Sequence, residues 1–317
     1  MTDLVTVGET MLRLSPPRHD RIEVADSFDV RAAGAESNVA VAAARLGTRS
    51  LWASKLPDSP LGRRVVADLA RYGIETDVAW AEEGRQGTYY LEFAGEPRGT
   101  NVIYDRADAA VTTTETDELP MERIEGAEVF YTSGITPALS ETLAETTAEV
   151  VARANEAGVK TAFDLNYRSK LWSPAEARST CEGLFPSIDT LVVAERDARQ
   201  VLDADGDPEG IATGLADEWG FETVVLTRGA EGALAVAAGS VVEQRTFETE
   251  TIDPVGTGDA FVGAFLARRI EGDGIERALS YGAATAALCR TIPGDVALVT
   301  REEVERVREG DAAAISR

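Results

Sequence analysis

The chain has 317 residues, 44% of them hydrophobic, enough to bury a large α/β core in one domain or two small ones. Its 55 acidic and 31 basic residues leave a net charge of −24, which by repulsion excludes nucleic acid and anionic membrane as partners. Two distant cysteines, Cys181 and Cys289, and a single histidine, His19, exclude a disulfide framework, a His/Cys metal site and a Ser-His-Asp triad.

Lysine occurs only at Lys55, Lys160 and Lys170, and arginine supplies the remaining positive charge. At ordinary ionic strength such a surface repels itself; at molar salt the Debye length shrinks to about 3 Å and the repulsion vanishes. The composition therefore points to the salt-rich interior of a halophile. The start, Met1-Thr2-Asp3-Leu4-Val5-Thr6-Val7-Gly8, has neither the basic residues nor the apolar run of a secretory signal, and a cytoplasmic location is expected.

In chain order, Leu4 to Val7 reads as a first strand. Met11 to Val30 then breaks the α/β rhythm with strand-like residues, before an alanine-rich helix from Val39 to Leu46 that Gly47 ends. Thr88 to Val111 breaks it again: Tyr89 to Phe93 and Asn101 to Tyr104 flank a turn at Gly95 to Gly99 and read as antiparallel strands. Ala127 to Tyr131, Thr161 to Asp164, Thr190 to Val193 and Thr223 to Leu226 continue the strand series, with a helix from Leu139 to Asn155 among them. The alternation predicts an α/β fold, a doubly wound and mainly parallel sheet flanked by helices, within a single domain over residues 1–317. The two irregular segments, about 11–33 and 88–111, are expected to form a small β-sheet lid. The tail after Gly310 reads as frayed.

The strongest local signal is Asp253-Pro254-Val255-Gly256-Thr257-Gly258-Asp259-Ala260-Phe261, followed by apolar residues at helical spacing. Gly256, Thr257 and Gly258 allow backbone N–H groups to converge at a helix start, where they can steady a developing anion. Asp259 in the first turn can accept the proton of an attacking hydroxyl. The same spacing suits a glycine turn followed by a helix-capping aspartate. The segment matches neither the phosphate loop ending in Gly-Lys-Ser/Thr nor the dinucleotide glycine fingerprint.

Asp253 to Asp259 resembles the second signature of the ribokinase-like (PfkB) carbohydrate kinases. Ala33-Gly34-Ala35-Glu36-Ser37-Asn38-Val39-Ala40, with Ala44 to Gly47, resembles the first. The resemblance implies the ribokinase-like fold, ATP with Mg²⁺ as phosphoryl donor, and Asp259 as catalytic base beside Gly256, Thr257 and Gly258. It also implies ATP binding by Thr227, Arg228, Gly229 and Gly232, together with Gly256 and Gly258. Where the family carries Asn-x-x-Glu, this chain has Ala194-Glu195-Arg196-Asp197, so Asp197 is the expected metal residue. A monovalent cation and a homo-oligomer formed through the lid are further expectations of the resemblance.

Gly8 to Met11, Ile103 to Ala107 and Asp164 to Trp172 are similar to segments of the 2-keto-3-deoxygluconate kinases. The resemblance implies sugar-acid contacts from Gly34, Tyr90, Tyr104, Arg106 and Arg168, and phosphorylation at the 6-hydroxyl, a step of a modified Entner-Doudoroff route. Asn38 and Asn166 are expected beside them, and Gly294-Asp295 suits either a hydroxyl contact from Asp295 or an ordinary turn. Arg106 and Arg168 suit a carboxylate-bearing sugar better than a neutral one. Fructose or another neutral sugar, and a non-catalytic ligand-binding role on the same fold, are the rival readings.

Overall fold

A computed structural model of the chain describes residues 2–17, 20–93 and 97–310. The expected frayed tail, His19 and part of the Gly95 to Gly99 turn lie outside the described residues. In chain order the elements are β1 (Leu4–Val7), β2 (Met11–Ser15), β3 (Asp29–Ala33), α1 (Ala35–Arg45), β4 (Ser50–Pro57), α2 (Pro60–Arg71), β5 (Glu75–Ala81), β6 (Thr88–Glu92) and β7 (Asn101–Asp105). There follow α3 (Met121–Glu125), β8 (Val129–Ser133), α4 (Glu141–Glu156), β9 (Lys160–Asp164), α5 (Pro174–Leu184), β10 (Thr190–Ala194), α6 (Glu195–Val201) and α7 (Pro208–Trp219). The chain closes with β11 (Thr223–Thr227), β12 (Ala233–Ala237), β13 (Ser240–Gln244), α8 (Thr257–Ile270), α9 (Ile275–Cys289) and α10 (Arg301–Arg308).

Strand alternation builds two cores, one on each face of the main sheet. Val5, Leu51, Phe130, Phe163, Leu191 and Val224 point to one side, against α4, α5 and α7. Leu4, Val129, Tyr131, Ala162, Val192 and Val225 point to the other, against α1, α8 and α9. Among the described residues the sheet has nine strands in the order β13-β12-β11-β10-β9-β8-β1-β4-β5. It is parallel from β5 to β11 and antiparallel at β12 and β13, so the doubly wound expectation holds.

The two irregular segments form a second sheet, ordered β3-β2-β6-β7. Each contributes an antiparallel pair, but the pairs join through parallel contacts between β2 and β6. The last strand of the second segment ends at Asp105, one residue past the expected Tyr104, and the remainder of that segment, up to 111, runs into a 3-10 helix at Ala110–Thr113.

Helix ends follow local chemistry. Ser140 Oγ accepts from Leu143 N at 3.0 Å, so α4 starts two residues after the expected Leu139. The helix expected from Val39 starts one turn earlier, at Ala35, with extended Gly34 as its cap. A single glycine sets how closely α8 approaches α1. A Cβ on Gly263 of α8 would fall 2.5 Å from the Val39 carbonyl, so its absence lets α8 lie directly on α1.

Candidate active site

The contact of α1 with α8 brings Asn38 and Asp259, 221 positions apart, together: Asn38 Nδ2 donates to Asp259 Oδ2 at 2.8 Å. Asp259 occupies the first turn of α8, where Gly256 caps the helix in the left-handed region with φ of 77°. A side chain on Gly256 would also collide with the Asp295 carbonyl, so glycine is required there.

Two cavities meet at this helix start, sharing Thr257 and Gly258. The larger, about 350 Å³, is walled by Gly34, Glu36, Asn38, Asp164, Asn166, Arg168 and Asp259 of the main body. The small sheet faces it with Met11, Tyr89, Leu91, Val102 and Tyr104. The smaller, about 200 Å³, is more apolar and is lined by Thr227, Gly229, Gly232, Phe247, Phe261, Ala283, Ala287 and Arg290, among others. The loops after the parallel strands thus build the site, as in other open α/β sheets.

Gly258 stands between the cavities, and a Cβ built on it meets no atom within 4 Å. Gly258→Ala is expected to keep or slightly raise stability, since alanine favours helix over glycine by up to about 1 kcal/mol. The methyl would nevertheless stand in the passage between the cavities and lower turnover by about tenfold or more. Thermal melting and a turnover assay check the pair of effects; full activity would show that nothing passes between the cavities at Gly258.

The walls of the larger cavity are rich in buried carboxyls. Burial pushes Asp259 up to about 6, opposed by the Asn38 hydrogen bond and the Arg168 charge. Burial, reinforced by the Asp259 charge and opposed by Arg168, raises Asp164 to about 7. Glu36 is likewise raised to about 7 by burial, against hydrogen bonds from Ser133 and Thr136. Among the described residues Arg168 forms no ion pair; its Nη1 donates only to the carbonyls of Asn166 and Tyr167, at 3.4 and 3.2 Å. It is the cation of this cavity without a fixed anion.

Arg106 differs. Its Nη1 donates to Glu9 Oε2 at 2.7 Å, and its guanidinium lies 4.7 Å from the Tyr104 ring centroid. Arg106 therefore already has a carboxylate partner. Asp295 is also engaged: Oδ1 pairs with Arg13 and Oδ2 accepts from Tyr89 Oη at 2.5 Å. Arg13 Nη2 reaches Asp253 Oδ2 at 2.8 Å, completing a buried cluster under the small sheet.

Most expected site residues reach the cavities: Gly34, Asn38, Tyr104, Arg106, Asn166, Arg168 and Asp295 line the larger, while Thr227, Gly229 and Gly232 line the smaller. Three stand elsewhere. Tyr90 faces away from the cavity and meets Phe28 edge-on, because strand alternation turns Tyr89 and Leu91 inward instead. Arg228 does not line the smaller cavity; its guanidinium is tied to Glu243 and to Glu231. Asp197 lines not the larger cavity but an adjoining groove, which shares Val102, Tyr104 and Arg168 with it, and accepts from Arg196 Nε at 3.0 Å.

Gly34 must lack a side chain, since a Cβ would collide with the Glu9 carbonyl. Among the described residues no three His, Cys, Asp or Glu side chains cluster as a metal cage. Asp164 and Asp259 stand in the wall of the larger cavity, and one or two carboxylates are what a magnesium ion held mainly by phosphate oxygens and water asks of a protein. No helix among the described residues is long and apolar enough to cross a membrane.

Comparison with known proteins agrees with this architecture. The chain belongs to the pfkB family of carbohydrate kinases, whose model matches residues 1–300. It is 63% identical to a 2-dehydro-3-deoxygalactonokinase of Haloferax volcanii, over 99% of both chains. It is 30% identical to a 2-dehydro-3-deoxygluconokinase of Bacillus subtilis, over 95% of this chain and 94% of that one. The crystal structure of 2-dehydro-3-deoxygluconokinase from Thermotoga maritima superposes with a TM-score of 0.92, at 34% identity and 98% coverage of each chain. The chain is thus a carbohydrate kinase of a family that uses ATP, and the Haloferax relative agrees with the salt-rich setting expected from its charge.

Proposed function

We propose that the chain transfers the γ-phosphoryl group of ATP to the 6-hydroxyl of a 2-keto-3-deoxy sugar acid, giving the 6-phosphate and ADP. The observation that carries this reading is the meeting of two cavities at Thr257 and Gly258, with Asp259 on one wall and unpaired Arg168 in the same cavity. The sugar acid occupies the larger cavity. Its carboxylate faces Arg168, with Arg106 and Tyr104 beside it, and its 6-hydroxyl faces Asp259. As the hydroxyl oxygen attacks the γ-phosphorus, Asp259 accepts its proton while Asn38 holds the carboxylate in place. Backbone N–H groups at the start of α8 stabilise the charge on the transferring group, and the bridging oxygen leaves with ADP into the smaller cavity.

Asp164 and Asp197 are the carboxylates proposed to face the water shell of a magnesium ion, which would neutralise phosphate charge when bound with the nucleotide. The small sheet acts as the lid of a single kinase domain. A pairing of two copies through that sheet, a cytoplasmic location and the binding of a monovalent cation stay part of the proposal, the first supported by Ile103 of β7, 48% exposed.

The 63% identity to the Haloferax protein favours 2-keto-3-deoxygalactonate, with its C4 epimer 2-keto-3-deoxygluconate next. The Glu9–Arg106 pair favours a second reading, a neutral sugar such as fructose, because it leaves one unpaired cation rather than two. Steady-state kinetics on both epimers, fructose and ribose in concentrated KCl decide. A kcat/KM at least about tenfold higher for a sugar acid is expected, the scale of one charge-assisted contact, and Arg168→Ala should narrow the gap. Equal efficiency on fructose would sink the sugar-acid assignment and leave the kinase class standing.

A further inference from the structure

The arginine expected from the sequence to meet the nucleotide, Arg228, is held by Glu243 and Glu231. Another arginine takes its place in the smaller cavity. Ala283, Ala286, Ala287 and Arg290 follow the i, i+3, i+4, i+7 spacing of one helix face and all line that cavity. Arg290 caps the C-terminal end of α9, and its carbonyl accepts from Ile252 N at 2.8 Å and Asp253 N at 3.2 Å. Those bonds fix it beside the segment that runs into Gly256 and Gly258.

Its side chain is only partly satisfied. Nη2 donates to Thr251 Oγ1 at 2.6 Å, whereas Nε is buried without a partner. Among the described residues no carboxylate pairs with Arg290, although Glu248 and Glu250 line the adjoining groove. In a chain with 55 acidic and 31 basic residues, a half-buried guanidinium whose Nε is shielded from water and which has no anion beside it calls for one from outside. We propose that Arg290 holds the phosphate chain of the nucleotide, an inference that rests on reading the smaller cavity as the phosphoryl-donor site. The adenine edge is the poorer partner for a fork of donors, because it sets the N7 acceptor beside the N6 donor. Phosphate oxygens accept at both tips.

Isothermal titration of ADP and of adenosine, each without sugar and at one fixed KCl concentration, separates the outcomes. For Arg290→Met, ADP affinity should fall by about tenfold or more while adenosine affinity stays unchanged. Arg290→Lys should recover part of the loss through its charge. Should the Met variant misfold, Arg290→Gln, measured the same way, carries the test. Equal weakening of ADP and adenosine, or ADP binding at the wild-type level, would overturn the proposal. Because no acceptor is present, a wrong sugar leaves these results standing, whereas failure of the wild type to bind ADP would overturn the donor-site reading itself.

Discussion

Asp259→Asn is expected to lower turnover by about 10² or more, the contribution of a positioned general base, while fold and ATP binding survive. Asparagine has the same shape and keeps an oxygen for the Asn38 amide, so the α1–α8 contact has no reason to move. What it loses is the ability to accept a proton. The pH profile supplies a second readout with a definite sign. Burial lifts Asp259 to about 6, and the proposed base acts in its ionised form. Wild-type kcat/KM should therefore fall as the pH drops through about 6, and the residual activity of the variant should lack that limb. Near-normal turnover in the purified variant would remove Asp259 from the chemistry and return it to a helix-capping role.

The second large effect is on stability. Arg13 is 3% exposed and sits between Asp253 and Asp295, which are 2% and 3% exposed. Arg13→Met fills much of the same space but leaves two buried carboxylates facing one another without a cation. Breaking a buried pair in this way costs about 3–5 kcal/mol, a large share of the roughly 5–15 kcal/mol that typically separates folded from unfolded domains. The loss should shrink on acidification. Burial already holds the Asp295 carboxyl above its ordinary value, and without the Arg13 charge nothing opposes that rise but Tyr89, so its penalty is full above the folded value and is relieved as protonation neutralises it. Denaturant titrations of both proteins at pH 7.5 and 5.5, in equal KCl, measure the difference. Equal stability at pH 7.5 would show that the cluster contributes nothing net.

How much of the architecture is legible in the sequence depends on the range of the interaction. The parallel strands β1, β8, β9, β10 and β11 stand within a few residues of where β-branched runs place them, because such runs are local and largely buried on both faces, whereas β4 and β5 lack a β-branched run and are not legible in the sequence. The start of α8 is equally legible, since glycine and aspartate act there on their own backbone. Strand alternation is the signal that distinguishes Tyr89 from Tyr90: Tyr89 and Leu91 share a face of β6, and Met11 and Arg13 share one of β2, whereas strand content alone does not say which face turns inward. The fate of each charge is beyond local reading. Arg106 looks available until the fold brings Glu9, 97 positions away, within 2.7 Å of it. Arg228 looks like a nucleotide contact until β13 delivers Glu243. Arg290 belongs to no motif, and only the cavity between α8 and α9 singles it out.

In the proposed reaction a phosphoryl group crosses from one cavity to the other and ends on the sugar acid's 6-hydroxyl. The most direct measurement is ³¹P–¹H correlation NMR on the product of the enzyme with ATP, Mg²⁺ and 2-keto-3-deoxygalactonate or 2-keto-3-deoxygluconate in concentrated KCl. The expected result is one new phosphomonoester coupled to the two C6 methylene protons, formed in step with ADP. Release of inorganic phosphate alone, or phosphorus coupled to a proton at any other carbon, would contradict it.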